Sequence, residues 1–308
     1  MTADSVPAQV GTVGERRPTI RTHCGRATSR SRRAIHAEQC AEPERERARE
    51  ADSMNTSPAD FAARLRARRR IIGYWVVLDN PVGTERLAGL GYDYICVDAQ
   101  HGLLDYKGTL GAMTAIDARG TAAGMVRVPA NDGFWIGQAL DAGARGVIVP
   151  LVNTAEEAAA AVAACRYPPL GVRSYGPMRS GLRVGPAPAE ANQQVARVVM
   201  IETAQALANT GEICATDGLD GVYIGPSDLT IALGGRTSTD TSVAEKFEAA
   251  LAKVTEEART AGIAAGIHCP DGATAAGRLA QGFTFATVSS DLVHLEQAAA
   301  AHLRDATA

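Results

Sequence analysis

The sequence predicts a (β/α)8 TIM barrel, and three observations carry that prediction. From residue 71 onward, short β-rich runs alternate with alanine-rich helical segments. Eight such runs can be counted, each almost continuously apolar, as strands are when helices cover both faces of a parallel sheet. Eight strand–helix units within residues 54–308 also suit the usual size of such a barrel, about 250 residues. A doubly wound open sheet is the alternative, but no strand is followed by G-x-G-x-x-G and a helix, so the dinucleotide signature is absent.

Taken in order, residues 1–53 hold ten arginines, no lysine and no aromatic side chain. They cannot bury enough surface to offset the entropy of ordering and are expected to form a disordered extension, with Met54 as the natural start. Ser57-Pro58 then opens an amphipathic first helix. The predicted strands are IIGYWVVLD (71–79), YDYICVDAQ (92–100), AAGMVRVP (122–129), GVIVPLV (146–152), RVVMIET (197–203), DGVYIGP (220–226), AAGIHC (264–269) and TFATVSSD (284–291). Among the helices, TAEEAAAAVAACR opens at a Thr154 cap with Glu157 three residues on, and SVAEKFEAALAKVTEEARTAG closes at Gly262. The Gly/Pro-rich stretch 167–194 reads as an exposed loop, long enough for a lid or a subunit contact. Phe134 and Trp135 read as helix-start packing or interface anchors.

Composition removes several function classes. A net charge of −3 gives no field for nucleic acid or acidic lipid, and no apolar run is long enough to cross a bilayer. The six cysteines lack CxxC or zinc-ligand spacing and suit reduced thiols in a cytoplasmic protein.

In a barrel, chemistry gathers at the carboxyl ends of the strands. The second strand ends in Asp98, Gln100 and His101, the third carries Arg127, the fifth ends in Glu202, and the sixth runs into Gly225, Pro226, Ser227 and Asp228. The seventh offers His268 and the eighth Ser289, Ser290 and Asp291. Glu202 and Asp228 end neighbouring strands, where two carboxylates repel each other unless a cation lies between them. Singly, each acid reads as a helix N-cap. As a pair they read as ligands of a hard divalent ion such as Mg²⁺ or Mn²⁺, with water and a chelating substrate completing the shell. Gly225 permits a sharp turn or a close ligand, Pro226 presets a helical start, and the amides of Ser227, Asp228 and Leu229 form an anion site. Arg127 reads either as an anion holder or as a salt-bridge partner of Asp98 or Glu202. His268 reads equally as a pocket residue or a structural histidine.

The segments YDYICVDAQHG, VRVPANDG, ARGVIVPLVNTAEEA, RYPPLGVRS, VVMIET and DGVYIGPSDLTIALG, in this order, resemble the HpcH/HpaI family of metal-dependent 2-oxo acid aldolases over roughly residues 58–305. The resemblance implies a barrel of the phosphoenolpyruvate/pyruvate type that joins pyruvate, or hydroxypyruvate, to an aldehyde. It implies Mg²⁺, Mn²⁺ or Co²⁺ on Glu202 and Asp228, Arg127 on the oxo oxygen, and His101 at the cleaved hydroxyl with Asp98 orienting it. Gln100, Gly225, Pro226, Ser227 and His268 would contact substrate. The chain departs from the family pattern at Gln100, where glutamate is common, and at VSSD, where the family has VGSD. A homo-oligomer is implied too, a hexamer of three dimers with the last helix exchanged. A related reading is a citrate-lyase-like enzyme acting on acyl-CoA thioesters; a third is a catalytically silent metabolite-binding barrel. The chain's lysines, Lys107, Lys246 and Lys253, all fall outside the predicted strands, which disfavours a Schiff base and leaves a Lewis-acid metal as electron sink.

Overall fold

A computed structural model describes residues 57–308, so the expectation for residues 1–53 lies outside the described residues. Eight parallel strands close a barrel in sequence order, β8 pairing with β1. They are β1 (Ile71–Val76), β2 (Tyr94–Asp98), β3 (Ala123–Arg127), β4 (Gly146–Val149), β5 (Ala196–Ile201), β6 (Gly221–Ile224), β7 (Ala264–Cys269) and β8 (Phe285–Ser290). The helices are α1 (Phe61–Arg66), α2 (Pro81–Ala88), α3 (Tyr106–Arg119), α4 (Gly133–Asp141), α5 (Ala155–Cys165), α6 (Pro188–Gln194), α7 (Ala204–Ala208), α8 (Thr210–Cys214), α9 (Pro226–Ala232), α10 (Ala244–Ala261), α11 (Gly272–Ala280) and α12 (Asp291–Thr307). Each predicted strand is present, and all but β7 stop short of the predicted carboxyl end because the last residues turn into loops.

Alternation along the strands builds two shells. Tyr94, Cys96, Met125, Ile148, Val198, Met200, Tyr223 and Phe285 fill the interior, while Ile95, Val97, Val126, Val147, Val199 and Val222 face the helices. At Gly73 a Cβ would come 2.1 Å from the Tyr94 ring, so the interior accepts tyrosine only because that neighbour is glycine. Phe61, Ala62 and Leu65 of α1 belong to the inner cluster and close the amino-terminal end of the barrel. The predicted caps hold: Ser57 accepts from the Ala59 amide, and the Thr154 hydroxyl from the Glu157 amide.

The loop from Arg166 to Ala187 runs from the end of α5 toward β5, which places it on the amino-terminal face of the barrel. Arg173 pairs with Asp141 at 2.7 Å, and Arg179 donates to the Ala142 carbonyl at 2.6 Å and to Asp117 at 2.6 Å, so it is pinned to the carboxyl ends of α3 and α4. A lid over strand carboxyl ends is therefore excluded, because the loop is on the opposite face. Helix α12 buries none of its residues; Leu295 and Leu303 stay 59% and 66% exposed. Its first turns touch β8 and β1, where the Tyr74 hydroxyl meets His294 Nδ1 at 2.8 Å. Among the described residues no helix is long and apolar enough to cross a membrane.

Candidate active site

The inward parity of the strands decides which polar residues meet at the mouth. Counting in steps of two from interior residues, β1 brings up Trp75, β2 Asp98, β3 Arg127, β5 Glu202, β6 Gly225 and β7 His268. A cavity of about 240 Å³ opens among Trp75, His101, Arg127, Gly225 to Asp228, His268 and Ser290.

Asp98 is the organiser of one wall. Its carboxylate accepts from Arg127 Nε at 2.9 Å and Nη2 at 2.5 Å, from Trp75 Nε1 at 3.1 Å, and from the backbone amides of Gln100 and His101, both at 3.1 Å. Burial pushes its carboxyl up, but Arg127 and the amide and indole donors outweigh that and hold it below the usual range. Asp98 thus fixes the backbone at His101, while the exposed His101 ring lines the cavity. Of the two readings left open for Arg127, the pairing with Asp98 is realised, with Nη1 remaining for another partner. The guanidinium also lies over the Trp75 ring, 5.1 Å from its centroid.

Glu202 is 3% exposed and sits behind Gly225 rather than on the cavity wall. Its Oε1 accepts from the Leu151 amide at 2.8 Å. Leu151 has φ 55°, a left-handed conformation that aims this donor at the carboxylate while its side chain points to solvent. A Cβ at Gly225 would come 2.7 Å from Glu202 Oε2, so the missing methyl leaves free space beside that oxygen. Burial first, then the nearby charge of Asp228, raise the Glu202 carboxyl above its ordinary value, against the Leu151 amide and Arg127. Asp228 is exposed and lines the cavity. Neither acid is a helix cap: Gly225 holds the N-cap position of α9, and Thr203 caps α7. The carboxylate pair, the space at Gly225 and the raised Glu202 carboxyl fit a hard dication. Among the described residues no cluster of three or more His, Cys, Asp and Glu side chains is arranged for a metal, so a cation here would draw its other ligands from water and substrate.

His268 packs edge-on against Trp75, 5.5 Å between centroids, and burial lowers its pKa to about 4, with Arg127 adding to the effect. It is therefore a neutral wall of the cavity at pH 7. Gln100, like Glu202, lies off the cavity wall, with its Oε1 buried and without a partner. One expectation needs correction. The Leu229 amide, counted as an anion donor, is taken by the Gly225 carbonyl at 3.0 Å. Trp75 is the residue that sequence reading missed. Its signal was parity: on β1 it falls two residues beyond Gly73 and four beyond Ile71, on the inward face.

A larger groove of about 420 Å³, edged by Tyr106, Phe134 and Trp135, lies where α3 and α4 meet β3. Asp105, which caps α3, is its one titratable acid, so the convergent chemistry is at the mouth instead.

The signature of the HpcH/HpaI aldolase/citrate lyase family matches residues 71–298. The hydroxypyruvate/pyruvate aldolase of Rhizorhabdus wittichii is 42% identical over 241 residues, covering 78% of this chain and 95% of that protein. The 5-keto-4-deoxy-D-glucarate aldolase of Klebsiella pneumoniae is 38% identical over 240 residues, 76% of this chain and 91% of that protein. Among solved structures, an HpcH/HpaI aldolase/citrate lyase family protein from Burkholderia cenocepacia superposes with a TM-score of 0.74 at 32% identity, over 81% of this chain and all of that one.

Proposed function

The chain belongs to the HpcH/HpaI aldolase/citrate lyase family of carbon–carbon lyases, and on that premise we propose that it is a divalent-metal-dependent aldolase. It would reversibly cleave 4-hydroxy-2-oxo acids to pyruvate, or hydroxypyruvate, and an aldehyde. The observation that carries this reading is Glu202: buried, fixed through one oxygen by Leu151, its other oxygen beside the space at Gly225, and Asp228 close enough to raise its carboxyl. Glu202 and Asp228 would hold Mg²⁺, Mn²⁺ or Co²⁺, which when bound supplies Lewis-acid polarisation of a 2-oxo group.

The remaining chemistry falls to this chain's own side chains. Arg127 Nη1 is the donor left after Asp98 engages Nε and Nη2. It holds the oxo oxygen as negative charge grows there, and Asp98 and Trp75 fix the guanidinium so that no reorganisation is needed. His101 accepts the proton of the C4 hydroxyl as the C3–C4 bond breaks; the bonding pair passes toward C3, and the same proton count is restored when C3 is protonated. Neutral His268 and the Pro226–Ser227 start of α9 shape the wall around the oxo acid. The lysines support this route: Lys253 caps the Leu207 and Ala208 carbonyls, and Lys107 and Lys246 are exposed on helices.

A homo-oligomer, read as a hexamer of three dimers exchanging α12, accords with a last helix that buries none of its residues. A cytoplasmic setting accords with the free, buried thiols of Cys96, Cys165, Cys214 and Cys269. The test is pyruvate release from a panel of 4-hydroxy-2-oxo acids with Mg²⁺, Mn²⁺ or Co²⁺, before and after chelation. Turnover undiminished by the chelator, or a borohydride-trapped pyruvate adduct on lysine, would overturn the reading.

A further inference from the structure

Beside the reaction cavity lies a second chamber of about 380 Å³ that shares Pro226, Ser227, His268 and Ser290 with it. Those four residues form a wall common to both, and the second extends outward between α10, α11 and α12. Phe247, Ile267 and Val293 give it an apolar lining, and Thr274 and Ser289 add hydroxyls. The Ser289 hydroxyl is buried without a hydrogen-bond partner. Arg278, the charged side chain in this lining, is neutralised by Glu248 through two bonds of 2.6 and 2.7 Å. The chamber therefore presents no free charge to a ligand.

We infer that this chamber receives the part of the aldehyde beyond its reacting carbonyl, and that the acceptors it favours carry an uncharged ring or a chain of about six carbons. Size and polarity set that class. An apolar cavity of about 150 Å³ already holds a benzene ring, so the chamber takes a ring with room for a polar substituent. An anionic tail would find its cation already paired. The reaction cavity, at about 240 Å³, is left to the oxo acid and the bond being broken. The inference rests on the aldolase reading for its kinetic consequence, and on the cavity itself for binding.

Two substitutions outside the reaction cavity test it in opposite directions. Thr274→Phe fills the chamber from α11, and Phe247→Ala enlarges it from α10; Val293→Phe fills it from α12 should the first variant fail to fold, judged by circular dichroism. Pyruvate addition to benzaldehyde and hexanal is compared with addition to glycolaldehyde, and saturation-transfer NMR follows benzyl alcohol, which cannot react. Filling should lower kcat/KM for the two large acceptors by about tenfold or more, leave glycolaldehyde within about twofold, and abolish the benzyl alcohol signal. Phe247→Ala should retain the large acceptors. An equal effect on large and small acceptors, or benzyl alcohol contact that survives filling, overturns the inference. If the wild-type protein turns over no acceptor yet loses benzyl alcohol on filling, the aldolase reading falls and the chamber stands.

Discussion

Replacing Gly225 by alanine isolates one carboxylate oxygen. Gly225 has φ −89°, which any residue tolerates, so the added methyl is the whole perturbation. That methyl would come 2.7 Å from Glu202 Oε2 and 3.0 Å from Met200 Cε. Met200 is unbranched and can swing its end away. Glu202 cannot follow without stretching its 2.8 Å bond from the Leu151 amide. Reaching an ordinary C···O separation of about 3.3–3.6 Å moves the oxygen by roughly 0.6–0.9 Å. A displacement of that size at a reacting centre costs about 10- to 100-fold in rate, and overpacking of this kind costs about 1–3 kcal/mol of stability. The assays are pyruvate release coupled to lactate dehydrogenase and Mn²⁺ titration by electron paramagnetic resonance. Gly225→Ala should lose kcat/KM and Mn²⁺ affinity together while its far-UV spectrum stays wild type. A folded variant with wild-type Mn²⁺ affinity and turnover would refute the role given to Glu202 Oε2.

Three further outcomes follow from the same geometry. His268 has its pKa lowered from 6.5 to about 4, so the unfolded chain binds more protons between those values and stability should fall as pH drops through that window, by at most about 3 kcal/mol; His268→Gln should flatten the slope in urea titrations at stepped pH. Arg127→Lys keeps a charge but cannot reproduce the two-point pairing with Asp98 or the stacking on Trp75, so kcat/KM should fall at least about 100-fold in a protein with an unchanged circular dichroism spectrum. Ser289 occupies φ 49° at the β8 irregularity opposite Tyr74 and Trp75, with an unpartnered hydroxyl, so Ser289→Gly should stabilise the fold by about 1 kcal/mol in chemical denaturation.

The barrel was legible because its strands are apolar throughout and its helices carry ordinary caps; Thr154 with Glu157 and the left-handed Gly262 lie where the sequence put them. Asp98, Arg127, Glu202 and His268 were legible for a simpler reason, since an ionisable residue at the end of an apolar strand has few purposes. What escaped was tertiary. Trp75 looks like one more core residue until alternation places it under Arg127, and the choice between an anion and Asp98 as the arginine's partner depends on the β2–β3 register, which aligns Asp98 with Arg127. Leu151 gives no local hint of a left-handed conformation, because what holds it is its amide bond to a glutamate 51 residues away. The loop at residues 166–187 needed only topology: a helix-to-strand connection in a barrel lies on the face away from the chemistry.

The bidentate grip of Asp98 on Arg127 also fixes the electrostatic sum of the mouth. Those two charges cancel, His268 contributes none at neutral pH, and the carboxyl groups of Glu202 and Asp228 are left, among the described residues, without a cationic side chain paired to them. On the proposed metal-dependent reading, an oxo acid arriving alone would be repelled, and loading would be sequential, dication before keto acid. Calorimetric heat from pyruvate in a cation-free protein solution would contradict that sequence.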